Sequence, residues 1–368
     1  MSDTHAATFP TQAAFASGQP HEGSPVTEFR RAPDRTFLRK FFNARLRFPD
    51  GAQHEIWSFE DETSGKGLPA PPVRVTEGQV LHGILKPSKR VHTIHWHGIE
   101  PDPRNDGVGH TSFEVTGEYT YQWLTERGVP GDPNAGAGGS YFYHCHVNTV
   151  LHVQMGMFGP LVVDPIVHPD FPVPAGARRS FVDGPLYDIA TETLLAAYAV
   201  DPRWHQLDHA AGLSGEDVGL NRFEPRHFYL LGGNLTVPFT GGGVHSLTEV
   251  KANVTGHGFP TLLRTLNANY FPTRLRITDA NGQPARIAEL LAHDGRVFRD
   301  TSDPDGPNRP VRDTGNPLIT DRVAFGAAER YDVLLHPPQA GDYRIHVDFT
   351  HWVTGQVLGT RTIPLIAR

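Results

Sequence analysis

The residues with the clearest capacity for chemistry surround the single cysteine of the 368-residue chain. Cys145 stands between His144 and His146, and His152 and Met157 follow a short distance downstream. One thiolate, imidazole nitrogens and a weakly bound methionine sulfur are the ligands of a blue electron-transfer copper. This stretch therefore predicts a copper site built around Cys145.

A strand that carries Cys145 would divide these ligands between two faces. Successive side chains of a β-strand point to opposite sides of the sheet, so Cys145 would face one way while His144 and His146 face the other. A bend in the chain a few residues later would then allow His152 and Met157 to rejoin Cys145.

A second histidine motif lies upstream, in a stretch that also has the pattern of a strand. By the same alternation, His95 and His97 share one face and His92 lies on the other. Pairing the two strands places His92 beside Cys145. The pattern predicts a first copper site from His92, Cys145, His152 and Met157, and a second one across the strand from His95, His97, His144 and His146.

Two of these ligands have an alternative interpretation. Free cysteine is among the most buried residue types, so Cys145 on its own would be a structural thiol, and its histidine neighbours are what favour copper. Met155 competes with Met157 for the weak axial position. We choose Met157 and expect Met155 to lie in the core.

The spacing of the two motifs resembles that of a known protein family. The patterns H-x-x-H-x-H-G and H-C-H, followed by H-x-x-x-x-M, look like the copper-binding domain of the multicopper oxidases and of their relatives, the copper nitrite reductases. Flanking segments agree, at residues 106–108, 119–121, 138–143 and 159–164. Beyond about residue 170 the chain resembles, more weakly, the copper-free second domain of three-domain oxidases.

The resemblance implies an all-β chain of two cupredoxin-like Greek-key β-sandwich domains, laccase-like and with the type 1 copper in the first domain. We expect an N-terminal extension at residues 1–35, a copper-binding cupredoxin domain at residues 36–166 and a second cupredoxin-like domain, without its own copper site, at residues 167–368. A proline-rich connector at residues 164–174 marks the boundary. Residues 191–200 are one of the few helix candidates.

The resemblance also implies a reaction. A small-molecule or metal-ion reductant gives electrons one at a time to the type 1 copper, and Cys145 passes them to a histidine-bound type 2/type 3 copper site that reduces dioxygen. In the oxidases this second site is a trinuclear cluster of eight histidines. Past residue 160 this chain has no further H-x-H pair. A neighbouring subunit of a homo-oligomer (by family, a trimer) or a different partner chain would complete the cluster, or fewer coppers would bind.

Two further residues are candidate catalytic groups by resemblance. Asp106 matches the carboxylate that the oxidases place near their type 2 copper, where it helps to move protons, although it could equally be a turn residue before Gly107. His110 is expected to line the same pocket. Asn148 stands where many oxidases have an acidic proton donor, so proton delivery would differ here.

Two other functions stay open at this point. In a copper nitrite reductase, His97 and His144 would hold the type 2 copper with a third ligand from an adjacent subunit, but that family has a carboxylate where this chain has His95. The non-enzymatic alternative is a blue-copper electron-transfer or copper-binding protein whose second site is incomplete.

Composition narrows the function further. The net charge of −7, without any basic run, argues against a nucleic-acid surface, and no apolar stretch reaches the length of a membrane helix. A single cysteine cannot form an internal disulfide. The N-terminus lacks the apolar core of a secretory signal. We therefore expect a cytoplasmic protein as the sequence stands, and a periplasmic one, as is usual for the family, if a signal peptide has been removed.

Overall fold

A computed structural model describes residues 32–61, 65–87, 89–99, 101–109, 114–132, 136–237, 239, 241–300, 302 and 309–368. The described residues of the first part of the chain form nine strands, which are β1 Arg35–Arg47, β2 Gln53–Asp61, β3 Gly65–Leu68, β4 Val73–Thr76, β5 Val80–Leu85, β6 His95–His97, β7 Tyr119–Leu124, β8 Gly139–His144 and β9 Phe158–Asp164.

Short strands also dominate the rest of the described chain. They are β10 Ala177–Arg179, β11 Leu186–Asp188, β12 Thr193–Val200, β13 His227–Asn234, β14 Gly243–Val244, β15 Val250–Ala252, β16 Thr261–Asn267, β17 Thr273–Thr278, β18 Ala288–His293, β19 Arg296–Val297, β20 Ile319–Thr320, β21 Arg322–Phe325, β22 Arg330–Leu335, β23 Gly341–Thr350 and β24 Val357–Ala367.

Helical structure is limited to short segments. Within the described ranges there is one α-helix, α1 at Thr149–Gln154, and there are 3-10 helices at Pro103–Asn105, Trp204–Gln206 and Val311–Thr314. None of the helices in these ranges is long and apolar enough to cross a membrane.

Two sheets of the first part pack face to face. One has the strand order β14-β3-β2-β1-β5-β7, and the other has the order β4-β9-β8-β6. Side chains from both sheets form a single apolar core that includes Phe59, Trp96, Tyr121 and Tyr143. Because alternate residues of each strand point into this core, the intervening residues of β6 and β8 point outward, toward the second part of the chain.

The second part forms another sandwich with its own core. Its sheets have the orders β13-β12-β16-β22-β18-β19, with β20 beside β18, and β15-β24-β23-β17-β21. Leu263, Val333, Ile345 and Phe349 are among the buried residues between them. One strand crosses over, because β14 pairs in parallel with β3 of the first sandwich. The domain boundary near residue 166 stays a prediction.

Two of the strands predicted from the sequence are confirmed, and one predicted helix is wrong. The strands expected at residues 36–48 and 55–59 are present as β1 and β2. The helix expected at residues 191–200 is wrong, because this segment forms β12, which is hydrogen-bonded to β13 on one side and to β16 on the other. All eight residues of β12 are buried. A strand covered on both faces has a continuous apolar sequence, which resembles that of a buried helix.

A buried cluster of charges joins the two sandwiches next to β8. Arg264 Nε donates to Glu192 Oε1 at 2.6 Å, and Arg264 Nη1 lies 3.2 Å from Asp332 Oδ1. Ser140, at the start of β8, donates its hydroxyl to Asp332 and accepts from Arg264 Nη1 at 2.9 Å. The strand that leads to Cys145 is therefore fixed to the second sandwich by charge-assisted hydrogen bonds.

Candidate metal centre

Two short antiparallel strands bring the histidine motifs together. In the β6–β8 pair, His95 lies opposite His144, and His97 lies opposite Phe142. The sequence predicted strands at residues 91–98 and 141–147, whereas β6 contains only three residues and β8 ends at His144. The side chains of the three histidines nevertheless share the outward face of this pair.

Cys145, the first residue after β8, points to the opposite side. Its amide donates to the Met157 carbonyl at 3.1 Å. The Cys145 sulfur lies 3.7 Å from Nδ1 of His92 and 3.2 Å from Nδ1 of His152. His92 lies outside β6 and is held by a single β-bridge to Val115. Cys145 and the two histidines are completely buried.

A short helix positions His152. Asn148, the residue before α1, has a left-handed conformation with φ of 41°, and its carbonyl accepts from the His152 amide at 2.9 Å. After the helix, the Met157 amide donates to the His152 carbonyl at 3.0 Å, which returns the chain to Cys145. Met155 and Met157 are both fully buried, but only Met157 is bonded through its backbone to Cys145.

Burial sets the protonation states of this cluster. It lowers the pKa of His92 to about 2 and that of His152 to about 3, so both imidazoles are neutral. Burial raises the pKa of the Cys145 thiol to about 12. A metal cation would therefore take the place of the thiol proton. A soft sulfur with two neutral imidazole nitrogens is a donor set that fits copper.

The second cluster lies across β8 from the first. Ligand atoms of His95, His97 and His144 all lie within 4.8 Å of one another, and His97 Nδ1 is 3.3 Å from His144 Nε2. The ring of His146 is close by, with its centroid 5.4 Å from that of His95. Burial lowers the pKa of His97 to about 3 and that of His144 well below its usual value. These neutral imidazoles also fit copper.

A cavity of about 230 Å³ lies over this histidine face. Its other wall comes from the second sandwich, through Asn267, Ala268, Asn269 and Tyr270. No histidine from the described part of that sandwich lines it. The two amides are engaged within the protein, because Asn267 donates to the Phe271 carbonyl at 2.9 Å and Asn269 donates to Asn267. The described part of the second sandwich therefore forms one side of this cavity and adds no histidine to the cluster.

Of the two candidate catalytic residues, the structure describes Asp106 but not His110. Asp106 contacts His95, whose Nδ1 lies 2.9 Å from the Asp106 carbonyl oxygen and 3.1 Å from its carboxylate oxygen Oδ1. This contact directs Nε2 of His95 toward the cluster. A proton-handling role for Asp106 stays a prediction. His110 lies outside the described residues.

The segment that carries both clusters matches a family model. Residues 45–167 match the model whose description is multicopper oxidase. Residues 45–167 form a multicopper oxidase domain. Multicopper oxidases are copper-dependent oxidoreductases with type 1 and type 2/type 3 copper, so the match indicates copper as the cofactor of this segment. The individual ligands stay a prediction.

The multicopper oxidase domain also has curated relatives. Copper resistance protein A of Pseudomonas syringae pv. tomato is 36% identical over 104 residues, which cover 27% of this chain and 15% of that protein. L-ascorbate oxidase of Cucumis sativus is 26% identical over 182 residues, which cover 47% of this chain and 24% of that protein. The matched part thus spans less than a quarter of either relative.

A solved structure extends the likeness beyond the multicopper oxidase domain. The blue copper oxidase from Nitrosomonas europaea aligns with a TM-score of 0.59 and 20% identity, over 90% of this chain and 85% of that one. This likeness shows the fold. The predicted class, two cupredoxin-like Greek-key β-sandwiches, is confirmed.

One residue beside the multicopper oxidase domain was missed by the sequence analysis. His209 lies between β12 and β13, and its ring centroid is 4.4 Å from that of His152 and 5.0 Å from that of His92. The sequence gives no local signal for it, since it belongs to no H-x-H pair and is one of ten scattered histidines after residue 160.

Proposed function

We propose that this chain is a copper-dependent oxidoreductase of the multicopper oxidase type, which takes electrons one at a time from a small-molecule or metal-ion reductant and delivers them to dioxygen. His92, Cys145, His152 and Met157 would hold a type 1 copper, and His95, His97, His144 and His146 would hold a type 2/type 3 copper site. When bound, copper supplies the one-electron redox chemistry.

The observation that carries this proposal is the adjacency of the two clusters. The Cys145 sulfur belongs to the first cluster, and the imidazole of His144, the preceding residue, belongs to the second. With copper bound at both clusters, an electron would have a path of a few covalent bonds from the first to the second. Both residues are buried, so no solvent interrupts the path.

The chain contributes geometry and the exclusion of water. The two strands, the β-bridge at His92 and the helix before Met157 fix the donor atoms before any metal arrives. Because His92, Cys145 and His152 have no exposed surface, water cannot compete for the first site. Such preorganisation reduces the rearrangement needed when an electron is gained or lost.

The oxidant would enter from the other side of β8. The cavity over the histidine face has space for a small molecule, and its alanine, valine and phenylalanine lining suits an apolar gas. Four histidines provide half of the donor set of a trinuclear cluster. Another chain would supply the remainder, or this face would bind fewer coppers.

Copper content, spectra and oxygen uptake test the proposal together. The copper-loaded protein should show an intense thiolate-to-copper absorption band, more than one copper per chain, and oxygen uptake with a phenol or a metal-ion donor. Cys145→Ser should abolish the band and the uptake. His257→Ala, which changes an exposed histidine of the second sandwich, is the matched control and should retain both.

Other outcomes would lead to different conclusions. One blue copper without oxygen uptake would contradict the oxidase and leave an electron carrier. Nitrite turnover with a reduced dye would instead establish the nitrite reductase, which is not favoured because His95 occupies the position of that family's carboxylate. Absence of the thiolate band from the copper-loaded protein would mean that Cys145 is not a copper ligand.

A further inference from the structure

We propose that His209 is a positioning residue for the type 1 copper site, through which the second sandwich fixes both of its histidine ligands. The inference rests on the proposed function, since it requires copper at Cys145. His209 lies in a segment that we call the capping loop, residues 208–211. Although this loop follows β12 of the second sandwich, its residues lie against the first.

The His209 ring completes an aromatic enclosure around the two ligands. Its centroid is 5.7 Å from that of Trp57, in addition to its close approach to the rings of His92 and His152. Only 6% of His209 is exposed. Its imidazole therefore fills space that would otherwise admit water to the two ligand rings.

Hydrogen bonds connect His209 to the segments of both ligands. Its Nε2 lies 3.1 Å from the carbonyl oxygen of Val91, the residue before His92. Its own carbonyl oxygen lies 3.4 Å from Nε2 of His152. Because both partners are carbonyl oxygens, each nitrogen must carry a proton and donate it.

This pattern fixes the tautomer of His152. With the proton on Nε2, its Nδ1 is left with a free lone pair, and Nδ1 is the atom that lies 3.2 Å from the Cys145 sulfur. A metal-bound histidine commonly donates its other ring N–H to a carbonyl or carboxylate, which orients the ring and makes the ligand more basic. The His209 carbonyl occupies that place here.

Both ends of the capping loop are attached next to a ligand. Arg90, two residues before His92, pairs with Asp208 at 2.6 Å, and the side chain of Asn148, just before α1, donates to the Ala211 carbonyl at 2.9 Å. The loop thus bridges the segment that carries His92 and the helix that carries the other histidine. A displacement of the loop would move the imidazoles of both histidines together.

Substitutions of His209 should alter the electronic properties of the copper as well as its binding. His209→Phe keeps the ring and loses the bond to Val91, whereas His209→Ala also opens the enclosure. We expect both to shift the thiolate-to-copper band, the copper hyperfine splitting and the reduction potential. Copper affinity, measured by competition with a chelator, should fall about tenfold, at the lower end of the range for an outer partner, because the His209 backbone carbonyl that accepts from His152 remains in both variants. His209→Gln, which retains an N–H donor, should recover part of each change.

Matched measurements separate this inference from the proposed function and from misfolding. His257→Ala is the control and should match the unaltered protein. Wild-type band, potential and affinity in His209→Phe and His209→Ala would overturn the role of His209 while leaving the oxidase intact. Absence of the thiolate band from the unaltered protein would overturn both. The melting temperature of the His209→Phe protein should stay close to that of the control. A large decrease in melting temperature with unshifted copper spectra would assign His209 to packing alone.

Discussion

Nδ1 of His144 lies 2.9 Å from the backbone carbonyl oxygen of Cys145, the next residue in the chain. The imidazole donates this hydrogen bond, which leaves Nε2 as the atom that faces His97. A covalent path and a hydrogen-bonded path therefore run in parallel between the two clusters. Both paths connect the residue that supplies the sulfur of the first cluster, Cys145, with the imidazole of His144 in the second.

Removing a donor from the second cluster should leave the first intact. We expect His97→Ala to weaken copper binding at the histidine face by more than about 100-fold, since losing even an outer partner of a ligand costs about 10–100-fold. Elemental analysis should show less copper per chain, while the thiolate band is retained. Exposed His257→Ala is the control. Equal loss of the band and of total copper would mean that the clusters are not independent.

The two buried methionines should differ in their effect on the copper. Met157→Leu is expected to raise the reduction potential, because loss of a weak axial sulfur destabilises the oxidised ion more than the reduced one. Met155→Leu changes a neighbouring core residue of the same size and should leave the potential unchanged. A redox titration of the copper-loaded proteins measures both. If only Met155→Leu shifted the potential, the axial assignment would be reversed.

The buried charge cluster should be sensitive to the loss of one member. Arg264→Ala leaves Asp332 buried without its salt-bridge partner and leaves Glu192 paired with Arg74 alone, and we expect the free energy of unfolding to fall by about 3–5 kcal/mol. Arg276→Ala removes a half-exposed arginine from its pair with Asp348, which should cost about 0–1 kcal/mol. Denaturant titration of the two variants gives the comparison. Similar losses in both would show that the cluster is not specially dependent on Arg264.

Acid should destabilise the protein through His205. Burial lowers its pKa from 6.5 to about 4, and the ring is held neutral because Nδ1 donates to the Glu55 carbonyl while Nε2 accepts from the Gln154 amide. The unfolded chain takes up a proton near pH 6.5 and the folded one only near pH 4. The stabilisation is therefore complete above pH 6.5 and is lost as the pH falls toward 4.

Replacing His205 should reduce this loss. In His205→Gln, the decrease in the free energy of unfolding between pH 7 and pH 4 should be smaller than in the unaltered protein by about 2–3 kcal/mol. Denaturant titrations at a series of pH values measure the difference, with His257→Gln as the control. Parallel pH profiles for all three proteins would contradict the assignment.

Local geometry explains which parts of the site the sequence could predict. The alternation of side chains along β8 continues to Cys145, the residue that follows this strand, so the separation of Cys145 from His144 could be predicted from their order alone. The helix that carries His152 was not predicted, because only six residues form it and it begins after a left-handed asparagine. Helices this short derive their stability from packing rather than from their own sequence.

Contacts between distant segments that share no motif could not be predicted. His209 is 57 residues from His152 and 118 from Val91 along the chain, and no periodicity connects such positions. The mistaken helix at residues 191–200 has a related cause. Whether an apolar run becomes a helix or a central strand depends on the neighbours that cover it, and those of β12 come from β13 and β16.

The capping loop has a consequence for the assembly of the protein. Because a segment that follows β12 closes over ligands from the first sandwich, metal affinity and the docking of the two halves form one thermodynamic cycle. If bound copper increases the docking equilibrium constant by some factor, docking must increase the affinity for copper by the same factor. Bound metal would thus help to hold the two halves together, and a chain whose halves separate would bind its metal more weakly by the same factor.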